Sequence, residues 1–225
     1  MMVGGVAALL LQMLHPAALA GVWDHSDFRS DMSGRLRRTA RFLSGTTFGT
    51  TEQAMALIAR VRKIHGLVSG TLPDGRPYSA NDPELLTWVH VAGTWSFLRS
   101  FIRHGERLTG GECDRYFAET AVIARKLGAR SVPTRQADAR AYLESMRPVL
   151  AADARTHTVA ARLLSQPAPN FVMEPFRALI MRAGAGLLPD WAARMHELES
   201  RRPRLVVDGS VRAVRAVARW ALRPP

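Results

Sequence analysis

The sequence predicts an all-α fold, organised as a single helical domain. Apolar residues recur at helical spacing through most of the 225 residues. Helix-starting residues and prolines fall at the joins between these segments, where proline is tolerated. No run of β-branched residues alternates with period two for any useful length.

The first segment, Met1 to Val22, is apolar enough to suggest a signal peptide or a span, but no basic stretch precedes it and Gln12, His15 and Pro16 interrupt it. A buried first helix ending near His15-Pro16 is expected. Because the chain starts inside this apolar helix, an upstream segment is expected to be missing or short. Gly34 to Leu43 carries small, apolar and basic residues at helical spacing. Thr50 or Thr51 caps the next helix, which runs through Ile58, Val61 and Ile64 to Leu67. Pro73-Asp74-Gly75 is strong turn chemistry. Asn81-Asp82-Pro83-Glu84 then launches a long helix through Trp88, Trp95 and Leu98, with proline at its first position. After Gly110-Gly111, helices are expected over 112–127, 134–147, 150–165, 172–185, 189–200 and 208–222. Residues 1–205 are read as the domain and 206–225 as a basic C-terminal helix packed on it or trailing it.

Composition narrows the chemistry. Hydrophobic residues make up 47%, a globular value. A lone cysteine, Cys113, excludes an internal disulfide framework and any multi-cysteine metal site, and a cytoplasmic setting is the default. The 31 basic residues against 19 acidic ones give a net charge of +12, almost all of it arginine. These arginines are scattered, so no specific nucleic-acid partner is expected. The exception is the tail, where Arg201-Arg202-Pro203-Arg204 precedes Val211, Val214, Val217 and Ala218 interleaved with Arg212, Arg215 and Arg219. That pattern fits a basic amphipathic helix with peripheral contact to a membrane surface, or a helix packed on the domain with solvated arginines.

Dinucleotide and phosphate-binding loops, a Gly-x-Ser-x-Gly elbow and His-Glu-x-x-His are all missing from the sequence. A carboxylate-bridged di-iron bundle would need Glu-x-x-His pairs on two helices, and these are missing too. What is left is histidine. His65 closes an apolar helix, His90 lies in a nearly uncharged one, and His15 precedes Pro16 at an expected helix end. His25 is expected in a loop, while His104, His157 and His196 sit beside charged residues and read as solvated. A neutral imidazole is a strong ligand for haem iron. Arg35, Arg38 and Thr39, spaced i, i+3 and i+4, share one helix face. That face is either a solvent face or a polar wall over a cofactor, where guanidinium groups pair with carboxylates.

The order of the motifs resembles one oxygenase family. The series runs Leu11-Gln12-x-x-His15-Pro16, His25-Ser26-x-Phe28, Arg35-Leu36-x-Arg38-Thr39 and Phe48-Gly49-Thr50. It continues with His65, Asp74-Gly75-x-x-Tyr78-x-Ala80-x-Asp82-Pro83 and Leu86-x-Trp88-Val89-His90. This is similar to the mpaB-type and rubber oxygenase (latex-clearing protein) catalytic domains, most closely over residues 8 to 105. The resemblance implies an all-α domain with a globin-like haem pocket, haem b as cofactor, and dioxygen used on a small apolar substrate, isoprenoid or aromatic. It also implies His65 as the iron ligand and Arg35 and Thr39 beside the haem; His90, from its apolar helix, is then expected to contact a propionate or support the site. Arg38 stands where the latex-clearing protein has a lysine able to cap the iron; arginine stays protonated and is a far poorer ligand. That family member also has a glutamate upstream of the arginine motif, whereas Ala17 to Trp23 here holds no carboxylate before Asp24. Rubber cleavage itself is therefore not expected. A non-catalytic haem-binding or sensing protein shares the same site, and a basic membrane-surface protein is the third reading.

Overall fold

The computed structural model describes residues 2–168, 170–198 and 208–211. It is mostly helical, with one small hairpin of strands. Helix α1 (Met2–Gln12) is apolar on nearly every side and lies at the centre, packed along α5 (Pro83–His104) and α9 (Glu174–Ala185). Glycines permit that closeness. A Cβ at Gly4 would come within 3.0 Å of the Phe97 backbone, and one at Gly184 within 2.6 Å of Val6 Cγ1.

Pro16 has no N–H to continue α1, so the chain turns there and α2 (Pro16–His25) starts a new direction, 104° away. His15 caps α2, its Nδ1 accepting the Ala17 N–H at 3.2 Å, which is the helix-end role expected of it. No single helix among the described residues is long and apolar enough to cross a membrane; α1 and α2 would reach that only as a bent pair, and both lie largely in the core. Gln12 ties the break to α5, its side chain donating to the Val89 carbonyl at 2.8 Å while Trp88 Nε1 donates to the Gln12 carbonyl at 3.2 Å.

Helix α3 (Met32–Phe48), capped by Asp31, is longer than the Gly34–Leu43 segment expected. Helix α4 (Thr51–His65) starts with a reciprocal capping box between Thr50 and Gln53, and ends at His65, two residues before Leu67. Strands β1 (Ser69–Thr71) and β2 (Pro77–Ser79) pair antiparallel around the Pro-Asp-Gly turn, with Gly75 at φ +85°. The turn was legible in sequence; the strands were not, because three residues each are too few to display a period.

Helix α6 (Gly110–Leu127) follows a second capping box, Thr109 with Glu112, and stops at Gly128 in the left-handed region. Helices α7 (Gln136–Ser145), α8 (Ala154–Leu164) and α10 (Asp190–Met195) are each shorter than expected, with a 3-10 turn at Arg147–Val149 taking up the slack after α7. Residues 208–211 form a helical turn whose Asp208 accepts from Arg103 Nε at 2.8 Å. Val211 packs on the core, while the basic stretch 201–204 and the rest of the expected helix, 212–222, lie outside the described residues.

Two expectations of solvent exposure are overturned. His104 and His196 are only 6% and 4% exposed. His196 Nε2 donates to the Leu10 carbonyl at 2.8 Å, and His104 Nε2 meets Asp208 at 3.2 Å. Both histidines have charged sequence neighbours, but α1 in one case and residue 208 in the other cover them from afar. His25 is a further correction: it is the last residue of α2, not part of a loop.

Candidate functional site

Helices α3 and α4 carry the candidate residues other than His90, and they join through two residues only. Gly45 of α3 faces Leu57 of α4 with no room for a Cβ, so the helices run back alongside each other. Arg35 and His65 are each fifteen residues from Thr50. Both therefore stand about 22 Å along their helices from the turn, one on each arm of a helical hairpin. The hairpin buries little of itself: only Met32 and Gly34 in α3, and Ile58 in α4, are shut from solvent. Phe48, Met55, Ile64 and Leu67 stay exposed along it or just beyond it.

Arg35 points inward. It is half-buried and lines a small apolar crevice with Leu9, Met13, Met32 and Val159, of about 10 Å³, room for roughly one water. Its Nη1 donates to Ser26 Oγ at 3.2 Å, and no carboxylate pairs with it among the described residues. Burial first, and the neighbouring Arg38 second, lower its pKa from the usual arginine value, although a guanidinium remains charged. A half-buried cation answered only by a hydroxyl is an unfinished electrostatic arrangement.

Arg38 and Thr39 do not share that environment. Arg38 is turned to solvent and pairs with Asp31 at 3.5 Å. Thr39 is exposed, with its hydroxyl donating back to the Arg35 carbonyl at 3.2 Å. The three residues occupy one helix face, as their spacing requires, but only Arg35 lies toward the core. Ser26, its partner, belongs to the His25-Ser26 motif and carried no assigned role in the sequence.

His65 is half-buried, and its Nδ1 is shut from solvent with no hydrogen-bond partner. Burial pushes the imidazole below the usual histidine range, so it stays neutral at pH 7. His90, on α5, is also half-buried with an unpartnered Nε2. Burial, then the Arg125 guanidinium, pushes it down to about 4. His65 and His90 thus each keep one enclosed ring nitrogen without a hydrogen-bond partner, as His196 does at its Nδ1. Among the described residues no three His, Cys, Asp or Glu side chains gather in a way that could hold a bare metal ion.

The hairpin after His65 is tied to the end of α2 by contacts that the sequence motifs did not disclose. Tyr78 Oη donates to Asp24 Oδ2 at 2.7 Å, and His25 Nε2 donates to the Ser69 carbonyl at 3.1 Å. Burial, followed by the Asp24 hydrogen bond, pushes the Tyr78 phenol up to about 12. Asp24, the first carboxylate after the apolar N-terminal stretch, is therefore engaged.

Residues 1–220 match the family model described as the ER-bound oxygenase mpaB/B′ and rubber oxygenase catalytic domain. No curated protein and no solved structure matches the chain. With nearly its whole length matched, on a mostly helical fold, the chain belongs to the mpaB/rubber oxygenase catalytic-domain family and is an oxygenase domain.

Proposed function

We propose that this oxygenase domain binds haem b through His65 and uses dioxygen to oxidise a small apolar substrate. The observation that carries the reading is His65 itself, a half-buried imidazole held neutral, with one nitrogen enclosed and unpartnered. Iron is bound by the neutral form of histidine, so burial has already removed the competing proton. Since no ligand cluster for a bare ion is found among the described residues, a single histidine suits a metal whose remaining positions are filled by a porphyrin.

Arg35 fits the same group from the opposite arm. A propionate carboxylate is the partner its charge lacks, and a guanidinium can pair with it through two parallel hydrogen bonds. Arg38, one turn away, adds a second positive charge, and Thr39 offers a hydroxyl on the same face. His90, neutral and with a free Nε2 beside Arg125, is assigned to a propionate or to support of the site. When bound, haem supplies the redox-active iron on which dioxygen is reduced. The chain holds the haem by one neutral imidazole, neutralises its carboxylates with arginine, and presents exposed apolar side chains of the hairpin to an apolar substrate.

The decisive experiment is an absorption spectrum of protein purified from haem-replete cells. A Soret band that is lost in His65→Ala is expected; colourless wild-type protein would sink the reading. A non-catalytic haem carrier is the second reading, favoured by the engagement of Asp24 with Tyr78, which occupies a carboxylate that could otherwise serve as a base. Oxygen consumption coupled to product from an alkene or aromatic substrate separates the two.

A further inference from the structure

We propose that the hydrogen bond between Tyr78 and Asp24 is a positioning lock for His65, setting the imidazole through the β-hairpin that follows it. This rests on the haem reading above, in which His65 is the iron ligand.

Covalent and hydrogen-bonded links run from one pair to the other. The His65 carbonyl accepts the Val68 N–H at 3.1 Å, and the Val68 carbonyl accepts the Ala80 N–H at 2.9 Å. Three residues after His65 the backbone is thus part of the hairpin, where Ser69 pairs with Ser79 and Gly70 with Tyr78. The hairpin is only three residues per strand, too short to hold its place unaided. It is fastened to the end of α2 on both strands. Tyr78 of β2 donates to Asp24 at 2.7 Å, and His25 donates to the Ser69 carbonyl of β1 at 3.1 Å. The Tyr78 ring is 6% exposed, packs with Ala20 and Leu72, and covers Gly70 so closely that a Cβ there would stand 2.9 Å from the ring.

The phenol hydroxyl is therefore one of two polar fastenings that decide where the C-terminal end of α4 comes to rest. Tyr78 and Asp24 are positioning residues and not catalytic ones. Each acts through the placement of His65, which makes the iron–histidine bond the reporter.

The test compares Tyr78→Phe, Asp24→Ala and Asp24→Asn. Asp24 is exposed, so its alanine variant removes the bond without disturbing the buried ring. Asparagine keeps an oxygen that accepts from the phenol. In haem-free protein, Y78F and D24A should speed amide exchange at Val68 and Ala80 by roughly two- to tenfold, as for loss of one hydrogen bond, whereas D24N should match wild type. In haem-loaded protein, Y78F and D24A should shift the iron–histidine vibration of the ferrous form and release haem faster, again with D24N like wild type. Unchanged amide exchange overturns the lock. Faster exchange with an unaltered iron–histidine vibration and haem release overturns its role toward His65, leaving the pair merely structural. Wild-type protein without a Soret band is a separate failure, of the haem reading itself, and removes the positioning role with it.

Discussion

Arg35 Nη1 donates to the Ser26 hydroxyl at 3.2 Å, and that neutral oxygen is the partner of a half-buried guanidinium. A charge drawn out of water and given only a hydroxyl costs stability and favours any carboxylate that arrives.

Arg35→Met should therefore separate folding from cofactor retention. The apolar side chain fills similar space without the charge, so chemical denaturation of haem-free protein should show stability unchanged or higher by about 1 kcal/mol. On the proposed haem-binding function, haem retention, followed by transfer to an acceptor protein, should fall. Loss of both together would mean that Arg35 is a structural residue only.

Acid sensitivity follows from the buried imidazoles. His90 is held at about 4 in the fold against 6.5 when unfolded, so between these values the unfolded chain binds the extra proton. The stability contribution of neutral His90 is fully present above pH 6.5 and is lost as pH falls from 6.5 toward 4. It amounts to on the order of 3 kcal/mol. His65 and His196, also lowered by burial, act with the same sign. Urea midpoints should hold nearly level from pH 7.5 to about 6.5 and fall from there to 4.5, and His90→Gln should flatten that fall.

His196 closes the end of α1. The N–H that would serve the Leu10 carbonyl in a longer helix belongs to Leu14, and that group bonds to Leu11 instead. His196, brought back from α10, supplies the missing donor at 2.8 Å in a buried setting. His196→Ala leaves that carbonyl unsatisfied and should cost about 1–3 kcal/mol, measured by denaturant unfolding. Retention of wild-type stability would show that the carbonyl finds another donor.

Gly184 marks the closest approach of α9 to α1. A methyl group there would meet Val6 Cβ at 2.5 Å and the Val3 carbonyl at 3.0 Å, and a backbone oxygen cannot step aside as a side-chain tip can. Overpacking at about 1–3 kcal/mol outweighs a gain in helix propensity of at most about 1 kcal/mol. Gly184→Ala should lower the melting temperature; an increase would show that the two helices separate at little cost.

Local chemistry was legible in the sequence wherever it acts through near neighbours. Thr50 with Gln53, Asp82 with Pro83, the proline at 16 and the turn at Gly75 each act within a few residues, and each stands where its chemistry requires. The ordered motifs, with His65 and the arginines of α3, likewise pointed to the family that residues 1–220 match. Burial and pairing were not legible, because they depend on what packs from far along the chain. His196 reads as solvated among Glu197 and Glu199 yet reaches a carbonyl 186 residues away, and Tyr78 finds Asp24 across 54. The split of Arg35 inward and Arg38 outward has the same origin: spacing puts them on one helix face, but only the crevice against α1 and α8 decides which of them loses water. Sequence alone determined the main helices, several of their caps and the family; tertiary structure decided where several helices stop, which histidines lose water and that Arg35 is drawn from water with only a hydroxyl beside it, since desolvation is set by packing rather than by residue type.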